Sequence, residues 1–329
     1  MARPSDVTDL VARARRGEQR AVAQLLSMVE TDTSAGQSLL REVAAALAPH
    51  AGRAHVVGLT GPPGVGKSTS TSALVTALRR RGRRVGVLAV DPSSPFSGGA
   101  LLGDRVRMGE HATDDAVFIR SMASRGRLGG LAWSTPQALR VLDAAGCDVV
   151  LVETVGVGQS EVEIVALADT TVVLLAPGMG DGVQAAKAGI LEVADVLAVN
   201  KADRDGAART ARDLEHAVGM STGDDAGWVR PVVTMAAIRG EGVDELVEAL
   251  DRHRAWLDDT GQRARRRRRR AAAEIEALTL ERVRVRIGDL DGAGGLADLA
   301  DRVVAGELDP YRAADELIGS VDSRATARA

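Results

Sequence analysis

An α/β fold built on a mostly parallel sheet is what this sequence predicts, on three observations. Short apolar runs alternate with helical patterns from Val56 to about Leu257, the rhythm of strands joined by crossover helices that cover both faces. Residues 61–68 read Gly-Pro-Pro-Gly-Val-Gly-Lys-Ser, fitting G-x-x-x-x-G-K-[ST] at every fixed position. They stand between the run Val56-Val57-Gly58-Leu59 and a helical pattern that begins near Ser68, the strand–loop–helix setting a phosphate-binding loop requires. Residues 200–203 read Asn-Lys-Ala-Asp directly after Val196-Leu197-Ala198-Val199, so they fall at a strand's C-terminal end, where open α/β sheets bind ligands. The class is a P-loop NTPase.

The elements follow in order. Residues 1–50 carry no strand signal but show helical spacing in Val7, Leu10, Val11 and again in Val22, Leu25, Leu26, Val29. A further segment runs from Leu39 to Leu47 and stops at Pro49, which completes a helical N-terminal extension. Strands are expected near Val56–Leu59, Val85–Val90, Val117–Ile119, Val149–Val152, Thr171–Leu175, Val196–Val199 and Val232–Thr234. The helix after the phosphate loop passes through Leu74, Val75 and Leu78 and ends at Gly82. Past Thr260 the chain is helical again, with a basic run from Arg265 to Arg270. That run has helix formers on both sides, Ala264 and Ala271-Ala272-Ala273, and no aromatic neighbour on which a base could stack. A solvated helix face, or one that meets acidic groups of a partner chain, suits it better than nucleic acid. The expected organisation is a helical extension over 1–50, a P-loop domain over 51–258 and a helical segment over 259–329.

Bulk properties narrow the field. Net charge is 42 − 45 = −3, so no global field draws the chain to nucleic acid or a membrane. Cys147 is the single cysteine. It excludes an internal disulfide, fits a reducing compartment, and reads as a small core residue beside a strand. Trp133, Trp228 and Trp256 are scattered and read as packing residues. No apolar stretch approaches about 18 residues and the N-terminus has no apolar signal region, so a soluble, cytoplasmic protein is expected.

The chemistry sits in the two strings and between them. Gly61, Pro62, Gly64, Val65 and Gly66 would ring the phosphates with backbone N–H groups. Lys67 would reach the β- and γ-phosphates and Ser68 would offer its hydroxyl to Mg²⁺, with Thr69 next on a helix whose positive end faces the anion. In the second string the Asp203 carboxylate only accepts hydrogen bonds. Guanine offers N1–H and an amine side by side, whereas adenine would leave that carboxylate facing an acceptor, and such unpaired groups make discrimination large. Asn200 would bridge base and phosphate loop, and the Lys201 stem would cover the ring. GTP and GDP are the expected ligands. Between the strings, Val149-Val150-Leu151-Val152-Glu153 is a strand ending in a carboxylate that would hold Mg²⁺ through water, and Gly156 could sense the γ-phosphate. Asp91, made a strand terminus by Pro92 and Pro95, and Asp104 are further acids on the metal side. Val157 stands where in-cis glutamines orient the attacking water, with Gln159 two residues on. Valine cannot hydrogen-bond water, so slow intrinsic hydrolysis is expected.

Six stretches beyond the generic loop carry a closer resemblance: Asp91-Pro-Ser-Ser-Pro, Gly103-Asp104-Arg105, Ile119-Arg120-Ser121-Met122, Leu128-Gly129-Gly130-Leu131, Glu153-Thr-Val-Gly-Val-Gly-Gln-Ser-Glu161 and Pro177-Gly-Met-Gly-Asp181-Gly-Val-Gln184. They resemble the MeaB/ArgK family of G proteins (methylmalonyl-CoA mutase-associated, LAO/AO transport ATPase-like), from about residue 5 to residue 320. The resemblance implies the P-loop class shared with signal-recognition GTPases and metallocentre chaperones. It implies a homodimer, with the C-terminal helices as its dimerisation segment. The implied work is gating cobalamin loading into an adenosylcobalamin-dependent acyl-CoA mutase, methylmalonyl-CoA mutase or a relative, and protecting it. Carried over residue by residue, Lys67, Asp91 and Glu153 are catalytic. Ser68, Asp91, Asp104 and Glu153 are metal-side, and Asp181, Gln184 and Lys187 form a segment coupling nucleotide state to the mutase. Gln184 and Lys187, three apart, would share a helix face. One departure is Ala236, before Ala237, where such proteins commonly carry Ser. The guanine O6 contact there comes from backbone N–H, so specificity survives with weaker affinity. A P-loop kinase or ATPase acting on a small molecule or protein is the alternative, with Arg120, Arg125 and Arg127 as a lid. Asn200 and Asp203 speak against it, and no acceptor-activating base stands out. A targeting GTPase would need a Met-rich domain, which the sequence lacks.

Overall fold

The computed structural model describes residues 4–30, 34–92, 109–111, 113–124, 134–154, 166–178, 193–220, 227–288 and 295–326. They belong to two compact units, residues 1–264 and 265–329. The first opens with α1 (Pro4–Arg15), α2 (Gln19–Val29) and α3 (Ser34–Leu47), then β1 (His55–Thr60) and α4 (Lys67–Arg80). It continues through β2 (Val85–Pro92), β3 (Val117–Ser124), α5 (Thr135–Ala144), β4 (Val149–Thr154), β5 (Thr170–Leu175) and β6 (Val196–Val199). It closes with α6 (Ala207–Met220), β7 (Val232–Thr234) and α7 (Val243–Asp259). Among the described residues seven strands form one sheet in the order β3-β2-β4-β1-β5-β6-β7, and each of their pairings is parallel. The P-loop class and the α/β assignment stand.

The inner strands β1, β5 and β6 are buried along their whole length, so their residues alternate between cores on opposite faces of the sheet. On β1, Val56 faces the core built with α1, α2, α3 and α5, while Val57 and Leu59 face the one built with α4 and α7. On β4, Val150 and Val152 split from Val149 and Leu151 in the same way. The N-terminal helices thus share a core with the sheet: Val7, Leu25, Val43 and Leu47 pack in one cluster with Leu88 and Val152. Cys147 is 3 % exposed in this cluster, and burial pushes its thiol up to about 12. It is a core residue and not a nucleophile.

One strand differs from expectation. β3 runs on from Ile119 to Ser124, paired with β2 up to Pro92↔Ser124. Arg120 therefore lies within a strand, with its guanidinium on the carboxylate of Glu30 beyond α2, and is not part of a loop that could serve as a lid. Arg125 and Arg127 lie outside the described residues.

At the edge where the parallel strands begin, a polar chain is buried. His55 Nε2 and Thr170 Oγ1 lie 2.7 Å apart, and the same hydroxyl lies 2.8 Å from His253 Nδ1. His253 Nε2 is 3.4 Å from Asp195 Oδ1. The Asp195 carbonyl accepts the Trp228 indole N–H at 2.8 Å, and the rings of His253, Trp228 and Trp256 touch one another, with His253 stacked on Trp256. Burial pushes the His55 imidazole down to about 3, with Asp169 pulling it the other way.

The helix α8 (Gln262–Gly288) begins in the last residues of the first unit, and the second unit goes on to α9 (Leu296–Val304) and α10 (Pro310–Thr326). Leu299, Ala313 and Leu317 form a small core joined by Ile287, Val303 and Leu308. Val304 and Tyr311 are 88 % and 85 % exposed. No helix among the described residues is long and apolar enough to cross a membrane.

Candidate nucleotide site

β1 is the central strand of the seven, and the phosphate loop leaves its C-terminal end to enter α4 at Lys67. Gly66 sits at φ +92°, and a Cβ there would stand 2.6 Å from Asn200 Nδ2. Only glycine gives both the left-handed turn and room for the asparagine. Asn200 then does two things. Its Nδ2 donates to the Val65 carbonyl at 2.8 Å, and its Oδ1 accepts the Ala237 N–H at 3.1 Å. A single buried amide, 3 % exposed, thereby ties the phosphate loop to the loop after β7.

The neighbouring residues complete the cradle. Lys201 holds φ +60°, uncommon for a residue with a side chain, and its Nζ donates to the Gly64 carbonyl at 2.6 Å. The Ala202 N–H donates to the Met235 carbonyl, which anchors the Asn-Lys-Ala-Asp turn to the end of β7. Asp203 follows with its carboxylate 3.9 Å from the Arg239 guanidinium. Ala236 and Ala237, 1 % and 7 % exposed, are shaped by an antiparallel bridge from Ala236 to Glu241. An open cavity of about 480 Å³ is lined by Thr69, Ser72 and Thr76 of α4 on one side and by Ala237, Ile238 and Gly240 on the other.

On the phosphate side Lys67 Nζ donates to the Gly61 carbonyl at 2.7 Å and to that of Pro62 at 3.1 Å. The Ser68 hydroxyl donates to Glu153 Oε1 at 2.6 Å. β1 pairs Leu59 with Glu153, and that register carries the carboxylate to the mouth of the loop. Thr71 lies on the same side: its hydroxyl is 2.8 Å from Glu153 Oε2. Thr71 was not among the residues expected from sequence, although its spacing of three from Ser68 puts both on one helix face. Neither was Arg239, for which sequence offers no signal.

Thus Gly61, Pro62, Gly64, Val65, Gly66, Lys67, Ser68, Asn200, Lys201, Ala237 and Glu153 are brought together. The backbone of Asp91 is the penultimate position of β2, two residues beyond Ala89, the register partner of Glu153. Asp104, Gly156, Val157, Gln159, Asp181, Gln184 and Lys187 lie outside the described residues. Among the described residues no three His, Cys, Asp or Glu side chains gather as a metal cage. A hydroxyl and a carboxylate in contact do fit Mg²⁺, which takes one or two protein oxygens and keeps several waters.

The family model of MeaB, methylmalonyl Co-A mutase-associated GTPase, matches residues 22–289. A protein of Pyrococcus horikoshii named as a GTPase is 44 % identical over 324 residues, covering 97 % of this chain and 99 % of its own length. The GTPase ArgK of Escherichia coli is 37 % identical over 265 residues, 80 % of each chain. The crystal structure of an LAO/AO transport system kinase aligns over 98 % of this chain and 99 % of its own, with a TM-score of 0.74 and 28 % identity.

Proposed function

Since this chain belongs to the MeaB family of methylmalonyl Co-A mutase-associated GTPases, we propose that it uses GTP to gate cobalamin loading into an adenosylcobalamin-dependent acyl-CoA mutase and to protect that enzyme. The chain is a GTPase that binds guanine nucleotides. The observation that carries the site reading is the Asn200 amide. It joins the Val65 carbonyl to the Ala237 N–H, so phosphate grip and base reading are one mechanical unit.

Asp203 reads guanine N1–H and the exocyclic amine, and Lys201 lies along the ring. Lys67 trades its loop carbonyls for the β- and γ-phosphates, while the loop N–H groups and the start of α4 hold the remaining charge. Mg²⁺, when bound, would neutralise charge that develops on the phosphate oxygens. Ser68 and Glu153 would hold it, with Asp91 and Asp104 on the same side. Val157 offers no group to position water, so partner contact through Asp181, Gln184 and Lys187 completes the site. The chain works in the cytoplasm as a homodimer, the segment 259–329 supplying the contact and 1–50 and 51–258 the rest of each protomer.

Single-turnover GTP hydrolysis with and without the cognate mutase tests the coupling. A faster rate with the mutase, lost in Lys187→Ala at unchanged GTP affinity, is expected. Partner-completed sites gain on the order of 10³–10⁵, and a smaller gain is expected for a single loading event. Equal rates in the two conditions reject the coupling. The similar solved structure is named a kinase, which raises a phosphotransferase reading. Release of inorganic phosphate from GTP with no acceptor present separates the two.

A further inference from the structure

Glu153 is 4 % exposed at the end of a central strand. A carboxylate so placed needs donors on both oxygens. Ser68 serves Oε1 at 2.6 Å, and Thr71 faces Oε2 at 2.8 Å. Thr71 has no exposed surface, and its Oγ1 is also 3.0 Å from the Lys67 carbonyl one turn back. A hydroxyl carries one proton, so Thr71 can donate to only one of these acceptors. The carboxylate is both nearer and the stronger acceptor, because charge-assisted bonds outcompete neutral ones. Ser70 shows the ordinary alternative, its hydroxyl bonded back to the Gly66 carbonyl at 2.9 Å.

We propose that Thr71 is a positioning residue that fixes the rotation of the Glu153 carboxylate and so aims Oε1 at Ser68 and at the divalent cation of the bound nucleotide. The inference rests on the metal-side reading of Glu153. Without the Thr71 hydroxyl, Oε2 would lose this donor at the buried end of the carboxylate. The carboxylate would turn, and the pair offered to the cation would lose its alignment. Partners of this kind behind a metal ligand are worth roughly 10–100-fold in metal affinity or activity.

The experiment titrates Mg²⁺ against the full chain loaded with a fluorescent GDP analogue, reading nucleotide dissociation and no turnover. Thr71→Val keeps shape and removes the hydroxyl. The Mg²⁺ concentration for half-maximal retention should rise about 10-fold or more, while nucleotide affinity in EDTA stays within about twofold. Thr71→Ser restores the donor and should restore the wild-type requirement. Thr71→Ala serves if the valine variant does not fold. An unchanged Mg²⁺ requirement in the hydroxyl-free variant, or a loss of EDTA affinity that accounts for the whole effect, overturns the inference. Glu153→Gln separates the two levels. If it raises the Mg²⁺ requirement and the Thr71 variants do not, only the Thr71 inference falls. If it too leaves the requirement unchanged, the metal-side reading of Glu153 falls with it.

Discussion

Single side chains decide what this site accepts. Asp203 is the base reader, and Asp203→Asn replaces one acceptor by a donor at the point where guanine presents its amine. Loss of a charged hydrogen-bond partner costs about 2–3 kcal/mol, so GTP should weaken by roughly 10²-fold while xanthosine triphosphate gains. Competition between the two nucleotides for the variant measures it, and an unchanged GTP preference would show that Asp203 does not read the base. His55 governs stability instead. Its imidazole is held neutral by burial, down to about 3 from an ordinary 6.5, with Arg254, His253 and Arg263 also disfavouring charge and Asp169 opposing them. The unfolded chain takes up that proton below about 6.5 and the folded chain does not. Stability is therefore complete above that pH and falls between about 6.5 and about 3, by about 1.4 kcal/mol per pH unit. Urea midpoints at pH 7 and pH 5 should show the drop, and His55→Asn should flatten it.

At the scale of elements, the turn from β7 into α7 holds the base loop in shape. Gly242 has φ +73°, and a Cβ there would meet the Thr234 carbonyl oxygen at 2.1 Å. Gly242→Ala should cost at least about 2 kcal/mol through strain and displacement of Ala236 and Ala237. That lowers Tm by roughly 4–8 °C and weakens GTP, read by calorimetry and a binding titration on one preparation. A variant with wild-type Tm and affinity contradicts this. The strands were legible in the sequence because a strand buried on both faces must be apolar throughout, as in Val149-Val150-Leu151-Val152. β3 was read short because Arg120 and Ser121 interrupt the apolar run, and the group that stabilises Arg120 there is Glu30, some ninety positions away. The two nucleotide strings were legible since each is a local motif whose backbone makes the site. Thr71 was not, because its meaning depends on Glu153, 82 positions along the chain.

For the whole molecule, the second unit leaves apolar side chains such as Val304 and Tyr311 in solvent, more than a small core of Leu299, Ala313 and Leu317 requires. In a homodimer such side chains find cover. Changing Val304 and Tyr311 to Glu should shift the mass seen by light scattering toward the monomer while GTP binding, which uses residues of the first unit, is retained; a dimer that survives both changes is held elsewhere. The tryptophan–histidine cluster has a separate, optical consequence. Trp228 and Trp256 belong to the edge where strands begin, whereas guanine would enter where they end. The two are joined by α7, whose 17 residues span about 25 Å, from the base loop to the stacked rings. In a Trp133→Phe background, indole emission therefore reports on a pole that the nucleotide never touches. Any change in that emission as GTP is added is a displacement carried across the domain, along α7 or along β6 from Asn200 back to Asp195, a built-in gauge of how far the base loop pulls on the remainder of the domain.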